Sequence, residues 1–364
     1  MVMLPETKEN PLPVTDRVVI AVDPHKASWT AAAVNATLQP LATLRVPVSA
    51  QGYQQLRRFA RRWPDATWAI EGAGLGAPLL TRLCADGLQV VDVPAKLGAR
   101  VRLLSSGHGR KNDDADAISV GIAAMTAGHL NTVQVDEAVA ALRALVEHRE
   151  DLVRARTQTI NRLHTLLTQL IPGGAPAGLS AATAAALLRG VRPKTPLQQT
   201  LRGLATDLVT EIRRLDRRIT TADQDIAAAV TAAGCTLSEL YGIGTLLAGK
   251  ILARVGTITR FRSAAAFAAF NGTAPIEVSS GDVVRHRLSR AGDRQLNSCL
   301  HIMAITQLRR NTPGRAYYQR KRAAGKSHRE ALRCLKRRLS DVVYRQLVAD
   351  AGRDGPGRTP GGDD

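Results

Sequence analysis

The rhythm of apolar and polar positions changes twice along the chain. From Arg17 the run RVVIAVDP is apolar and β-branched and stops at Pro24, which describes a buried strand ending in a carboxylate. Two further extended runs, SWTAAAVN and LATLRVPVS, flank a polar turn around Asn35 to Pro40. They predict an antiparallel meander leading into a helix near Gln51 to Arg62. ATWAIEG begins a second cycle, in which Glu71 closes a short strand and Gly72, Gly74 and Gly76 open the next helix. LQVVDVP predicts another strand and Lys96 to Lys111 reads as a basic loop. NDDADAISVGIAAM then reads as an Ala-rich helix with Asn112 as its N-cap. Strands first, then strands alternating with helices, predict an α/β domain with a mixed sheet over residues 17–130.

Between Asp136 and Ala233 the period lengthens. Val139, Leu142, Val146, Val153, Ile160, Leu163, Leu167 and Leu170 recur at three-and-four spacing, with Arg149 and Arg156 at two seam positions. A Gly/Pro-rich break at Pro172 to Gly178 separates this from a second periodic run, Leu201 to Ile226. Residues 136–234 therefore read as a helical hairpin or coiled coil, a spacer or a self-association element; a plain bundle within one chain fits the same pattern. From Cys235 to residue 350, short helices punctuated by glycine give way to a basic segment, forming a mainly α domain. Residues 1–16 and 351–364 read as disordered ends.

Charge sharpens this outline. The chain of 364 residues carries a formal net charge of +19. Between Arg285 and Arg345, 17 Lys/Arg stand against Asp293, Glu330 and Asp341. Concentrating the excess in one segment suits a phosphate-binding surface, which releases many counterions together; a solvated basic helix face is the plainer alternative. The residues expected to contact nucleic acid are Arg285, Arg287, Arg290, Arg294, Arg320, Lys321, Arg322, Lys336, Arg337 and Arg338. Gly242 and Gly244 of YGIGTLLAGK join them, because that turn resembles a helix-hairpin-helix and frees backbone N–H groups at a helix N-terminus. Aromatic residues make up only 3%, which argues against extended base stacking. Tyr317 and Tyr318 are discounted as recombinase nucleophiles because a tyrosine recombinase has no use for a carboxylate quartet.

Cys84, Cys235, Cys299 and Cys334 lie far apart with no CxxC pair, so they read as buried thiols in a reducing cytosol rather than as a zinc site or disulfide framework. The first sixteen residues lack the basic start and apolar run of a signal peptide, and no stretch of about 18 apolar residues is present. A cytoplasmic protein without a membrane partner is expected.

Four acids stand out by placement. Asp23 and Glu71 end strands, and Asp113 and Asp116 begin a helix three residues apart, on one face. Carboxyl ends of neighbouring strands converge on one edge of an α/β sheet, and a helix can lay its first turn across them. Such a cluster repels itself unless a divalent cation sits in it, and hard oxygen ligands suit Mg²⁺ or Mn²⁺. Two such ions support in-line phosphoryl displacement, the chemistry of nucleases. Asp114 competes with Asp113 for the ligand role. Each acid also has a structural reading: Asp113 and Asp116 complement a helix N-terminus, and Asp23 caps a turn. His25, His108 and His286 read as solvated loop histidines.

On these residues the chain resembles the DEDD (Piv/MooV-type) transposases of the insertion-sequence one-hundred-and-ten family. The matching elements are AVDPHK, AIEGAG and KNDDADA, then LYGIGTLLAGKILARVG, FAAFNGTAPIEVSSG and LSRAGDRQLNSCLHIMA. They span Arg17 to Leu347 in family order. Two departures are Asn112, where the family commonly has Thr, and Leu75, where Tyr is frequent. The resemblance implies a RuvC-like (RNase H-like) N-terminal domain whose Asp23, Glu71, Asp113 and Asp116 hold Mg²⁺. It also implies a nucleophilic serine after a Pro and before a Gly, a place that Ser280 fits with Ser279 as the neighbouring alternative. A serine hydroxyl needs activation; Gly281 would let the backbone approach a phosphate, and Arg285, Arg287 or Arg290 would neutralise charge on phosphorus. Strand exchange through a phosphoserine intermediate, tetramers with composite sites, and a guide noncoding RNA alongside the DNA partner are further implications. The rival readings are a Holliday-junction resolvase-like metal nuclease and a non-catalytic nucleic-acid-binding protein.

Overall fold

The structure, a computed structural model, describes residues 17–71, 77–106, 113–133, 136–280, 283–287, 289 and 292–353, with the backbone alone at 77, 105–106, 279–280 and 283–286. The chain divides into two compact units between residues 135 and 136.

The first unit is built on β1 (Val18–Pro24), every residue of which is buried. Its apolar side chains alternate between faces, as the two-residue period requires. Val18, Ile20 and Val22 enter a core with Leu56, Phe59, Leu79 and Leu83, while Val19 and Ala21 meet Val93, Val120 and Ala123 on the other face. The antiparallel meander is present: β1 pairs with β2 (Ser28–Asn35), which pairs with β3 (Pro40–Pro47). On the other side of β1 lie β4 (Thr67–Glu71) and β5 (Val90–Val93), both parallel, and the short antiparallel β6 (Asn131–Thr132). The order β3-β2-β1-β4-β5-β6 makes one mixed sheet.

Helix α1 (Ala50–Ala60) is capped by Ser49, whose side chain accepts from the Gly52 N–H. Leu56 and Phe59 of α1 share the first core with Leu79 and Leu83 of α2 (Ala77–Ala85). The expected basic loop after β5 is instead largely helix, α3 (Ala95–Ser106): three basic residues obscured a run, AKLGARVRLLSS, that packs Leu97 and Val101 against the second core. Helix α4 (Asp113–Thr126) crosses β1 and β2, and Gly121 permits that approach, since a Cβ there would lie 2.4 Å from Val34 Cγ2.

The second unit begins with α5 (Glu137–Leu170), α6 (Ala181–Gly190) and α7 (Pro196–Ala232). The long helices pair within the chain. Arg149 Nε donates to Asp223 Oδ1 at 2.7 Å and Arg156 pairs with Asp216, so the two seam arginines are matched by aspartates of α7. Leu142, Val146, Ile226 and Val230, at one end of this hairpin, enter a common core with Ile251, Phe267, Leu300, Leu335 and Val343. That core joins α8 (Thr245–Val255), α9 (Ala264–Phe270), α10 (Arg294–Leu308) and α12 (His328–Arg353), with α11 (Pro313–Ala323) on its surface. Residues 351–353, expected in a tail, complete the last turn of α12. The N-terminal segment 1–16 and residues 354–364 lie outside the described residues. In this mainly helical unit one ribbon, β7 (Ile276–Ser280) against β8 (Val283–Arg287), stands out.

Candidate functional site

Parallel pairing of β1 with β4 sets Val22 beside Ile70, and the next residues along are Asp23 and Glu71. Both acids therefore emerge at the same sheet edge. Asp113 and Asp116 occupy the first turn of α4, and Asp116 is only 3% exposed and Asp23 only 9%. Burial is the main cause holding the Asp23 carboxyl above its ordinary range; Asp116 and Asp113 add to the rise, while His25 and Arg102 oppose it. Glu71 is raised likewise by burial, then by Asp23, with Arg102 opposing and Asp116 adding. Asp23 thus lies within electrostatic reach of Glu71, Asp116 and Asp113, and Glu71 within reach of Asp116.

Two arginines and a histidine meet them. Arg102 of α3 donates from Nη1 to Asp116 Oδ1 at 2.5 Å and also feels Glu71 and Asp23. Arg45 of β3 lies 3.0 Å from Asp113 Oδ2. His25 places Nε2 3.1 Å from Asp23 Oδ2 and 3.5 Å from Asp113 Oδ1, yet that nitrogen is buried without hydrogen-bond geometry to either. His25, in the loop after β1 with its side chain 36% exposed, turns its buried Nε2 onto the acids. Nothing in the one-dimensional pattern marked Arg45 or Arg102, which stand 68 and 14 residues before their partners Asp113 and Asp116. Among the described residues no three His, Cys, Asp or Glu side chains form a ready-made ion cage. The donor set itself still fits a hard divalent cation: four carboxylates, two of them destabilised as anions by burial and mutual repulsion. Asn112, Gly72, Gly74, Gly76 and His108 lie outside the described residues.

The expected serine lies at the end of a strand. Ser280 pairs with Val283 and Ser279 with Val284 in the β7–β8 ribbon. Gly281 and Arg290 lie outside the described residues, and Arg285 and His286 are described by backbone alone. What carries the ribbon is a polar knot that sequence reading passed over. Asn271, fully buried, donates from Nδ2 to Ser340 Oγ at 2.8 Å and accepts at Oδ1 from the Thr273 N–H and hydroxyl. Its carbonyl accepts from Asn297 Nδ2 at 2.8 Å. Asp293 caps α10 through the Leu296 N–H and accepts from Arg254, and its own N–H donates to the Phe270 carbonyl. Gly292 packs so closely that a Cβ would lie 2.3 Å from Gly272 N. Asn271–Gly272 and Gly292–Asp293 form one structural joint in which Gly272 takes φ +70°; an Asn-Gly pair was its only sequence signal.

The expected nucleic-acid contacts are distributed around this joint. Arg287 is exposed opposite Ile276. Arg320, Lys321 and Arg338 gather over the Tyr317 ring at 5.5 to 5.9 Å, and Arg322 donates to the Lys326 carbonyl. Lys336 donates to Asn297 Oδ1 and Arg337 pairs with Asp341, while Arg294 begins α10. Gly242 takes φ +93° and Gly244 is the N-cap of α8, which has no side-chain cap bond. No helix among the described residues is long and apolar enough to cross a membrane.

Two family models match. The DEDD model of IS110 elements, described as a transposase, covers residues 20–172, and the model described as the transposase IS116/IS110/IS902 family covers residues 235–319. The chain is 29% identical to the insertion element IS116 44.8 kDa protein of Streptomyces clavuligerus, over 91% of this chain and 95% of that protein. It is 29% identical to the insertion element IS110 43.6 kDa protein of Streptomyces coelicolor, over 76% of this chain and 80% of that one. A solved structure, T. thermophilus RuvC in complex with Holliday junction substrate, overlaps 32% of this chain and 99% of its own at 16% identity and a TM-score of 0.27.

Proposed function

The chain belongs to the IS110 family of transposases, and from that premise we propose that it cuts and rejoins DNA through a phosphoserine intermediate. The acid edge of the first unit and Ser280 of the second act on one phosphodiester. The observation that carries this reading is the convergence of Asp23, Glu71, Asp113 and Asp116 at one sheet edge, with Asp23 and Glu71 held above the ordinary carboxylate range. A meander followed by parallel strands, with the first strand ending in Asp23, supports a RuvC-like (RNase H-like) first domain.

Asp23, Glu71, Asp113 and Asp116 would hold Mg²⁺ or Mn²⁺, which when bound supplies Lewis-acid stabilisation of charge on the phosphate oxygens. The remaining steps belong to the chain. The Ser280 hydroxyl attacks phosphorus, the bond from phosphorus to a DNA sugar oxygen breaks, and that oxygen leaves as a hydroxyl carrying a proton. A hydroxyl of the second DNA strand then attacks the phosphoserine, a new phosphodiester forms and the serine regains its proton. Cations of β8 and α12 neutralise the phosphates on either side. The reading extends to several copies of the chain assembled on DNA and to guidance by an RNA of the element, tested by the mass of the DNA complex and by sequencing nucleic acid that copurifies.

The decisive experiment traps the covalent adduct. End-labelled DNA carrying an element terminus is incubated with protein and Mg²⁺ and resolved under denaturing conditions. Wild type is expected to give a labelled protein band that Ser280→Ala lacks and Ser279→Ala keeps. Nicked DNA with no adduct, undiminished in Ser280→Ala, would instead identify a nuclease that uses the acids alone.

A further inference from the structure

The second unit contains a cavity of about 320 Å³ beside the ribbon, a volume in the range of small-ligand sites. Its floor is the Gly272–Pro275 turn that leads into β7, and its walls come from β8, α11, the segment after α11, and α12. Arg287, Lys326, Arg333, Lys336, Arg337 and Arg338 converge on it against one acid, Glu330. A solvated basic helix face spreads its charges outward; here cations from separate elements face one concavity. Two of the six are already engaged, Arg337 with Asp341 and Lys336 with Asn297. Among the described residues Arg287, Lys326, Arg333 and Arg338 make no ion pair with a carboxylate. Burial, and then Arg333, hold the Lys336 ammonium below its ordinary range, the behaviour of a positive charge short of a counter-ion.

Position selects the anion. Pro275 directly precedes β7 and Arg287 pairs with Ile276, so the cavity lies at the foot of the ribbon whose far end carries Ser280. Four residues of strand span about 13 Å, at roughly 3.3 Å each. The backbone of B-form DNA winds around its axis while rising about 3.4 Å per nucleotide, so a straight span of about 13 Å along one strand covers about two nucleotides. We propose that this cavity seats a single phosphodiester of the DNA strand, about two nucleotides from the bond that Ser280 attacks, with Arg287, Lys326, Arg333 and Lys336 as its ligands. The distance to the attacked bond rests on the phosphoserine reading; the phosphate seat itself does not.

Cys334 lines the same cavity and reports its occupancy. Alkylation by iodoacetamide is followed peptide by peptide by mass spectrometry, with Cys84 of the first unit as internal control. The probe is a 30-base-pair DNA duplex, in EDTA so that no strand chemistry runs, and a duplex RNA of equal length forms a parallel arm. Saturating DNA is expected to slow Cys334 alkylation by about tenfold, in proportion to the bound fraction, leaving Cys84 unchanged. Arg333→Gln with Lys336→Gln is expected to abolish the protection and to flatten the dependence of log affinity on log salt by about one. Lys326→Gln, at an exposed position, does the same in part if the double variant fails to fold. DNA that binds while Cys334 reacts at its free rate and the salt slope is unchanged in the variants would overturn the proposal. So would protection by RNA alone. Protection together with a persistent failure to trap a phosphoserine adduct would retain the seat and reject the nucleophile.

Discussion

The acid edge of the first unit and the basic cavity of the second face opposite charge problems and meet them with different materials. The acids stand on short side chains at strand ends and in the first turn of a helix, and burial destabilises the Asp23 and Glu71 anions. Arg102, Arg45 and His25 are brought in to offset them. The cations around the cavity stand on long, partly solvated side chains from several elements; Arg337 and Lys336 are engaged by Asp341 and Asn297, and Arg287, Lys326 and Arg333 pair with no carboxylate among the described residues. A preorganised cluster of short donors is intolerant of single changes; a collection of flexible cations shares its work and weakens by degrees.

The largest test of that contrast is kinetic. Asp116→Asn or Asp23→Asn is expected to lower strand cleavage by about a thousandfold or more. Arg333→Gln is expected to weaken DNA binding by no more than about tenfold. Cleavage assays and anisotropy titrations on the same DNA compare them, and an Arg333 variant as damaging as Asp116→Asn would break the contrast.

Stability sharpens it next. Arg102→Gln leaves Asp116 buried without its cation and is expected to destabilise the first unit by about 1–3 kcal/mol, read from urea unfolding in EDTA. Glycines test packing in the two units. Gly292→Ala drives a methyl into the backbone of Gly272, at 2.3 Å, whereas Gly121→Ala meets the Val34 side chain, at 2.4 Å, which has a torsion to give. Both are expected to destabilise, by about 1–3 kcal/mol for ordinary overpacking, with Gly292→Ala the larger; melting of each variant decides the order.

The smallest expected effect is a pH dependence. Asp23 and Glu71 have folded-state values above 3.8 and 4.5, so the folded unit holds protons that the unfolded chain releases. Their contribution is fully present below the ordinary carboxylate range and is lost as pH rises through the raised folded values. In EDTA, Asp23→Asn should therefore melt progressively above wild type as pH increases from about 4 to about 7. A difference constant across that range would show that the charge of Asp23 carries no such cost.

Much of this molecule was legible in one dimension. The strand that ends at Asp23, the meander after it, the strand that ends at Glu71 and the paired long helices all follow from periodicity, because a sheet face and a helix stripe must each bury an apolar set. The basic loop after β5 failed for the same reason. Lys96, Arg100 and Arg102 outweighed the spacing of Leu97 and Val101, which pack on the sheet. The ribbon bearing Ser280 was missed because two five-residue strands rich in serine and arginine carry little alternation.

By itself the sequence determined the two-unit order, the position of each acid at the end of its element, the segregation of positive charge beyond residue 285 and the family to which these belong. Those are properties of local period and composition. Only the tertiary structure decided that Arg102, Arg45 and His25 answer the acids, that Asn271 and Gly292 join two distant segments under the ribbon, and that six cations surround one cavity. Such pairings depend on which residues meet across tens of positions, and a charge on a flexible side chain leaves no periodic trace of its partner.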